Sequence, residues 1–371
     1  MKVAALVPYH TDFCAGQRFR IELWGKHLER RGINVEYFPF ASRELTTLLY
    51  RDGLHFAKAQ QMLRCYVDQL HRILSASPPD IVFIYREASL IGPAWIERLA
   101  SRWKAPVVYD IDEPIFVSYL SPRNGRLNVL KCVSKTHSLF KMSNHVLAVN
   151  KAIGDYASRF TKRVSIVPMA VDLDRYYPVG KDCRSLPVRI GWVGTLTNQP
   201  NLEIIAEPLA KLRETRGANM RVIADEHMSL AGLEIEFIPW SYDHEVRLLQ
   251  ECQIGVVPVK DTPWSRWKFF FKLIQYMSLG LPVVATPTGS NIEIIEHGVN
   301  GFLADSEEEW YRHLLTLIDN PDLRVSMGRA ARRTVEKAFN LEGQIDFVES
   351  VFREQHLLAH RLGTQYEVLP N

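Results

Sequence analysis

The chain of 371 residues lacks most of the features that settle a function at a glance. Its five cysteines, Cys14, Cys65, Cys132, Cys183 and Cys252, are odd in number, scattered and without a CxxC pair. That pattern argues against zinc and against a disulfide framework, and so for a reducing, cytoplasmic setting. No apolar run approaches the roughly 18–20 residues of a membrane span. The opening MKVAALVPYH is apolar too briefly for a signal peptide and reads as a first buried strand. Repeats and low-complexity segments are missing. Acidic residues vanish between Pro114 and Gly154.

What is present is a globular composition, 47% apolar and 23% charged, long enough for two domains with separate cores. The net charge of +3 conceals an asymmetry: residues 1–175 hold 25 Lys/Arg against 16 Asp/Glu, and the remainder holds 20 against 26. A basic front half suits an anionic partner. Short β-branched runs alternate with helical stretches: 2–8, 34–40, 81–85, 107–111, 146–149 and 164–168, then 188–194, 221–225, 234–239, 254–259, 282–286 and 301–304. Near-continuous apolar strands separated by helices predict parallel sheets covered on both faces. The intervening helices are expected near 17–31, 45–75, 93–103, 127–142 and 151–160, and then near 200–216, 243–251, 267–279, 290–297, 306–319 and 321–338. The stretch 172–187, with two prolines and a glycine, breaks the alternation. The expected division is a first domain over 1–174 rejoined by a terminal helix at about 342–371, a linker over 175–187, and a second domain over 188–341.

The chemistry concentrates in KFFFKLIQYMSLGLPVVATPTGSN, residues 268–291. On a continuous helix Lys268, Lys272 and Gln275 form one stripe in an otherwise apolar circumference. Two ammonium groups one turn apart repel unless an anion neutralises both, and a diphosphate would do so. The alternative is a solvated stripe. Beyond the strand PVVAT, Gly289, Ser290 and Asn291 open a predicted helix whose free amides suit phosphate oxygens, or which is simply capped by Ser and Asn. Gly194 and Thr195, in GWVGT, lie at another strand end before a helix; their spacing fits neither GxxxxGKS nor GxGxxG.

These residues together resemble the retaining, nucleotide-sugar-dependent glycosyltransferases of the GT-B fold, family four (glycosyl transferases group 1). The likeness is densest in K-x3-K-x2-Q-Y-M-S-x-G-x-P-V-V-A-T-x-x-G-S-N, and takes in GWVGT and VPMAVDL. It implies an α/β protein of two doubly wound, Rossmann-like parallel-sheet domains facing across a cleft. It further implies transfer of a sugar from a UDP- or GDP-linked donor to a glycan, lipid-linked or small-molecule hydroxyl, with retained configuration and neither cofactor nor metal. By that resemblance Lys268 and Lys272 hold the donor diphosphate, with Gly194, Thr195, Gly289, Ser290 and Asn291 around it and Pro239 and Trp240 against the nucleobase. Where many relatives carry two glutamates, Trp267 and Gln275 stand here; Gln275 can bond a hydroxyl but offers no carboxylate.

In the front domain, Asp112 occupies the position of a histidine in many relatives. Asp112 and Glu113, with Asp110, are candidates to hold sugar hydroxyls or take an acceptor proton. Gly16, Gln17, Arg18 and Arg20 follow the first strand and Arg86 follows the third, as an acceptor and phosphate loop or as structural salt bridges. Arg123, Arg126, Lys131, Lys135 and Lys141 describe a basic amphipathic surface, able to rest on the anionic inner face of a membrane or to stay solvated. No nucleic-acid motif accompanies that charge. An epimerase of the same architecture, or a partner that binds nucleotide sugar without turnover, remains as an alternative.

Overall fold

The computed structural model describes residues 1–118, 130–180, 187–230 and 232–366, with side chains up to residue 361. Arg123 and Arg126 therefore lie outside the described residues. The chain divides into two compact units, residues 1–169 with 343–371, and residues 170–342.

The first unit is built on six parallel strands, β1 (Lys2–Val7), β2 (Asn34–Pro39), β3 (Ile81–Tyr85), β4 (Val107–Ile111), β5 (His145–Ala148) and β6 (Val164–Ile166). Their order is β2-β1-β3-β4-β5-β6. The residues of β3 and β4 are all buried, as a sheet covered by helices on both faces requires. The order reverses direction between β1 and β3, and in such sheets the loops beyond the strand ends at the reversal part to leave a binding crevice. The loop after β1 carries Gly16 to Arg20, and Arg86 and Asp112 follow β3 and β4. Topology alone thus gathers most of the front-domain candidates at one end of one sheet.

The second unit repeats the plan with β7 (Arg189–Gly194), β8 (Asn219–Ala224), β9 (Ile235–Pro239), β10 (Ile254–Val257), β11 (Val283–Ala285) and β12 (Phe302–Leu303). Its order is β12-β11-β10-β7-β8-β9, reversing between β7 and β10. Val188, Ile190, Trp192, Val222, Ile254, Val256 and Trp310 share its core. Tyr176, in the stretch expected to be linker, is buried in this unit, where Arg332 donates to its carbonyl oxygen at 2.5 Å.

Three expected helices differ in instructive ways. The one expected over 45–75 is two, Arg43–Leu49 and His55–Ser75, because Gly53 and Leu54 take left-handed backbone between them. The one expected over 17–31 is interrupted by a wide turn at Arg18–Glu22, in which Arg20 leaves helical geometry. Arg20 is there turned inward, closing a fully buried bidentate pair with Asp110 at 2.7 and 2.5 Å and donating to Val167 O at 2.7 Å. Of the helix expected over 127–142, residues 127–129 lie outside the described residues, and the described helix spans Lys135–Met142. Lys135 is not on a surface: it is buried, and its ammonium donates to Ser89 O at 2.5 Å and Ser89 Oγ at 3.0 Å, with Glu87 at 3.3 Å. Lys131 precedes the helix, so the two do not share a helical face. Burying an ammonium is tolerated because four protein oxygens replace its water.

The terminal helix Leu341–Tyr366 returns to the first unit. Trp24 Nε1 donates to Gln344 Oε1 at 2.7 Å, and Phe352 meets Phe83 edge-on at 5.8 Å between centroids. Phe352 is fully buried. Phe352→Ala is expected to destabilise the protein by about 3–5 kcal/mol, read from the urea unfolding midpoint. A loss below about 1 kcal/mol would mean that this helix does not depend on that contact.

Candidate active site

In the second unit the apolar helix is shorter than its sequence suggests. It spans Phe271–Ser278, and Lys268 lies before it in extended backbone, at the end of a single turn Ser265–Trp267. The reason lies in the glycine loop. Ser290 N donates to Lys268 O at 3.0 Å and Phe270 N donates to Ser290 Oγ at 3.2 Å, so residues 268–270 bond the loop instead of one another. Gly289 makes this approach possible: it has φ +54°, and a Cβ there would lie 2.5 Å from Lys268 O and 2.8 Å from Ser265 O. Lys268 and Lys272 are therefore not two positions of one helical stripe. They are still neighbours, since the charge on Lys268 is felt at Lys272.

Lys272 is poorly compensated. It is partly buried, and its Nζ stands over the Trp192 ring, 4.3 Å from the centroid. No carboxylate pairs with it among the described residues. Burial, and then the charge of Lys268, pull its amine from 10.5 down to about 7. The aromatic face gives partial compensation, worth less than a full counter-ion. Trp192 comes from the middle of β7, a role that GWVG does not announce, because a tryptophan in a core strand reads as packing.

Gln275 is buried, and its Nε2 donates both to Tyr176 Oη and to Glu245 Oε1, each at 2.9 Å. Tyr176 Oη in turn donates to Glu245 Oε2 at 3.2 Å. A carboxylate that the sequence did not single out, on the helix Glu245–Gln250, therefore lies beside the glutamine. The other candidates are dispersed. Asn291 Nδ2 donates to Thr286 O at 3.0 Å, and the helix it opens runs only to Ile294. Thr195 Oγ1 is engaged by Thr197 and by Asn198, at 2.8 Å each. Gly194 ends β7 against the Trp192 ring. Pro239 ends β9, and Trp240 N donates to Ala224 O at 2.8 Å. Arg175 stacks on Tyr242, 3.5 Å from its centroid, and bonds that residue's carbonyl, which holds the loop carrying Trp240.

In the first unit, Arg86 grips Asp112 with two hydrogen bonds, Nε at 2.5 Å and Nη2 at 2.8 Å, and reaches Glu113 at 3.5 Å. Tyr85 Oη donates to Asp112 at 2.8 Å. Arg86 has φ +56°, a strained turn at a strand end of the kind that functional sites retain. Gly16 packs directly on the pair: a Cβ there would lie 2.4 Å from Tyr85 Oη and 2.5 Å from both Arg86 Nη2 and Asp112 Oδ2. Burial alone would raise the Asp112 carboxyl, but Arg86, aided by Arg20 and Tyr85, outweighs it and holds the group below the usual carboxylate range. A carboxylate so held is a poor proton acceptor and a firm anchor for Arg86. Gln17 turns toward Tyr9 and Glu22, and Arg18 donates to Asp12 O at 2.7 Å, so these two brace the loop.

Lys272 yields a pH signature. The unfolded chain keeps that amine protonated up to 10.5, whereas the folded chain releases the proton near 7. Between those values the unfolded state binds more protons, so this residue makes the free protein's stability rise with pH. Lys272→Met is expected to flatten the wild-type slope of melting temperature against pH between about 7 and 10; identical slopes in both proteins would refute the uncompensated amine.

Residues 187–320 match the family described as Glycosyl transferases group 1. The chain is 26% identical to D-inositol 3-phosphate glycosyltransferase of Corynebacterium jeikeium over 95% of its own length and 94% of that protein's. It is 30% identical to human alpha-1,3/1,6-mannosyltransferase ALG2 over 31% of this chain and 26% of that one. Among solved structures, sucrose-phosphate synthase from Thermosynechococcus elongatus superposes with a TM-score of 0.70 at 14% identity, covering 95% of this chain and 99% of that one. Anabaena HepE in complex with UDP-glucose gives 0.68 at 16%, covering 95% and 100%. Two six-stranded parallel sheets wrapped in helices are thus the GT-B fold of those glycosyltransferases, and the segment that matches the glycosyl transferases group 1 family lies within the second unit.

Proposed function

We propose that the protein transfers a sugar from a nucleoside diphosphate donor to an acceptor hydroxyl, with the anomeric configuration retained. One observation carries the donor half of this reading: Lys272, partly buried, has an aromatic face beside it, a second lysine nearby and no carboxylate paired with it among the described residues. An amine pulled down to about 7 by burial and by like charge regains its proton when an anion arrives, and a diphosphate is an anion of the required charge. The solved structures of HepE with UDP and with UDP-glucose support a UDP-linked donor.

The chemistry follows from where charge develops. As the glycosidic bond breaks, negative charge grows on the departing diphosphate, and a fixed ammonium stabilises that state more than the ground state. Lys268 would add a second charge. Gln275, whose Nε2 is already engaged by Glu245 and Tyr176, would offer its Oε1 to a donor hydroxyl as an acceptor only. The first unit would receive the acceptor, with Glu113 beside Arg86 available to a sugar hydroxyl. Because Asp112 is held ionised and paired, the acceptor proton would leave with the departing phosphate oxygen. No dedicated nucleophile is required.

Thermal-shift measurements with UDP, GDP, ADP and dTDP and their sugars should raise the melting point with one base preferred. Lys272→Met should weaken nucleoside diphosphate binding by at least about tenfold while leaving binding of the matching nucleoside almost unchanged. Equal loss for both ligands would overturn the diphosphate assignment.

A further inference from the structure

The helix His55–Ser75 is apolar on two opposite faces. Met62 and Cys65 lie in a core cluster with Phe40 and Leu45, and Ile73 is fully buried. On the outer face Phe56, Leu63, Val67 and Leu74 are 84%, 66%, 55% and 50% exposed. Their separations are seven, four and seven residues. At 3.6 residues per turn they fall within about 40° of arc, along about 27 Å of helix. A contiguous apolar seam of this kind marks an interaction surface rather than scattered exposure.

The charges around the seam select its occupant. A helix that lies on an anionic membrane carries cations along its flanks. Here Lys58 is buried with its ammonium on Arg51 O at 2.6 Å, and Arg72 is turned back onto Pro39 O and Gln69. Among the described residues of this helix the exposed Lys, Arg, Asp and Glu side chains are Arg64 and Asp68, one of each sign on the same flank, with His71 exposed between them and the seam. That flank is neutral overall but complementary to itself.

From this we infer that the outer face of His55–Ser75 binds the same helix of a second copy of this chain, in antiparallel orientation. The seven-four-seven spacing reads identically in both directions. A two-fold axis at the level of residue 65 sets Phe56 opposite the second copy's Leu74 and Leu63 opposite its Val67, as an isologous interface demands. Antiparallel helices place like flanks together, so Arg64 of each copy approaches Asp68 of the other. One helix face buries less than the ~800 Å² per partner of a standard interface, so the dimer is a weak one, with a dissociation constant on the order of micromolar.

Sedimentation velocity of the full chain between about 1 and 100 µM should show a monomer–dimer equilibrium. Leu63→Glu should raise the dissociation constant at least about 30-fold without changing the melting temperature. Arg64→Asp should weaken the dimer, and adding Asp68→Arg to it should restore association, which a general loss of folding would not do. The inference is overturned if the wild type stays monomeric throughout, or if Leu63→Glu leaves the dimer intact. It is likewise overturned if a monomeric wild type floats with vesicles of phosphatidylglycerol and phosphatidylcholine in a Leu63-dependent way, which would make the seam a lipid-binding face.

Discussion

A lysine amine held against a tryptophan face, without a carboxylate paired with it among the described residues, is the constraint on which the reading of this protein depends. Lys272 has given up part of its hydration and gained only the Trp192 ring and a repelling neighbour in Lys268. Such a group is costly in a free protein and favourable once an anion arrives. The surrounding structure maintains the cost. Core packing of β7 places Trp192, and the glycine loop at 289 fixes the backbone from which Lys268 departs.

The first unit shows the opposite electrostatic arrangement. Its charges are paired, both pairs bidentate: Arg20 with Asp110, fully buried, and Arg86 with Asp112, in which the aspartate is buried and the arginine part-exposed. Pairing of this kind contributes position more than stability, because desolvation offsets most of the attraction. Asp110, Arg86 and Asp112 at the ends of adjacent strands, with Arg20 from the wide turn Arg18–Glu22, form a frame, and Gly16 lies against it where no side chain would fit. The two units thus divide the work, one presenting an unbalanced cation and the other a balanced scaffold.

That a glutamine and not a carboxylate stands at position 275 has a local physical account. Glu245 and Tyr176 occupy the space beside it, and Gln275 satisfies both through a single amide nitrogen. A glutamate at 275 would place two carboxylates within hydrogen-bond range in a buried site, which forces one of them to take up a proton. Nothing in the spacing of Gln275 could reveal this, since Glu245 is thirty residues away and Tyr176 ninety-nine.

Strand positions and the parallel pairing of two sheets were legible because period and apolarity are local properties. All twelve expected strands recur within a residue or two of their expected bounds. The same local reasoning misplaced Lys268 and Lys135. Helix propensity cannot register that Lys268 O is claimed by Ser290, twenty-two residues on, or that Lys135 is claimed by Ser89, forty-six residues back. It likewise left Asp112 open between holding sugar hydroxyls and taking a proton, because the arginine that holds it below the usual carboxylate range comes from the neighbouring strand end. The sequence on its own determined which residues carry charge and where the strands run. Tertiary structure alone decided which charges are balanced, because pairing, burial and desolvation depend on neighbours that the fold brings from distant parts of the chain.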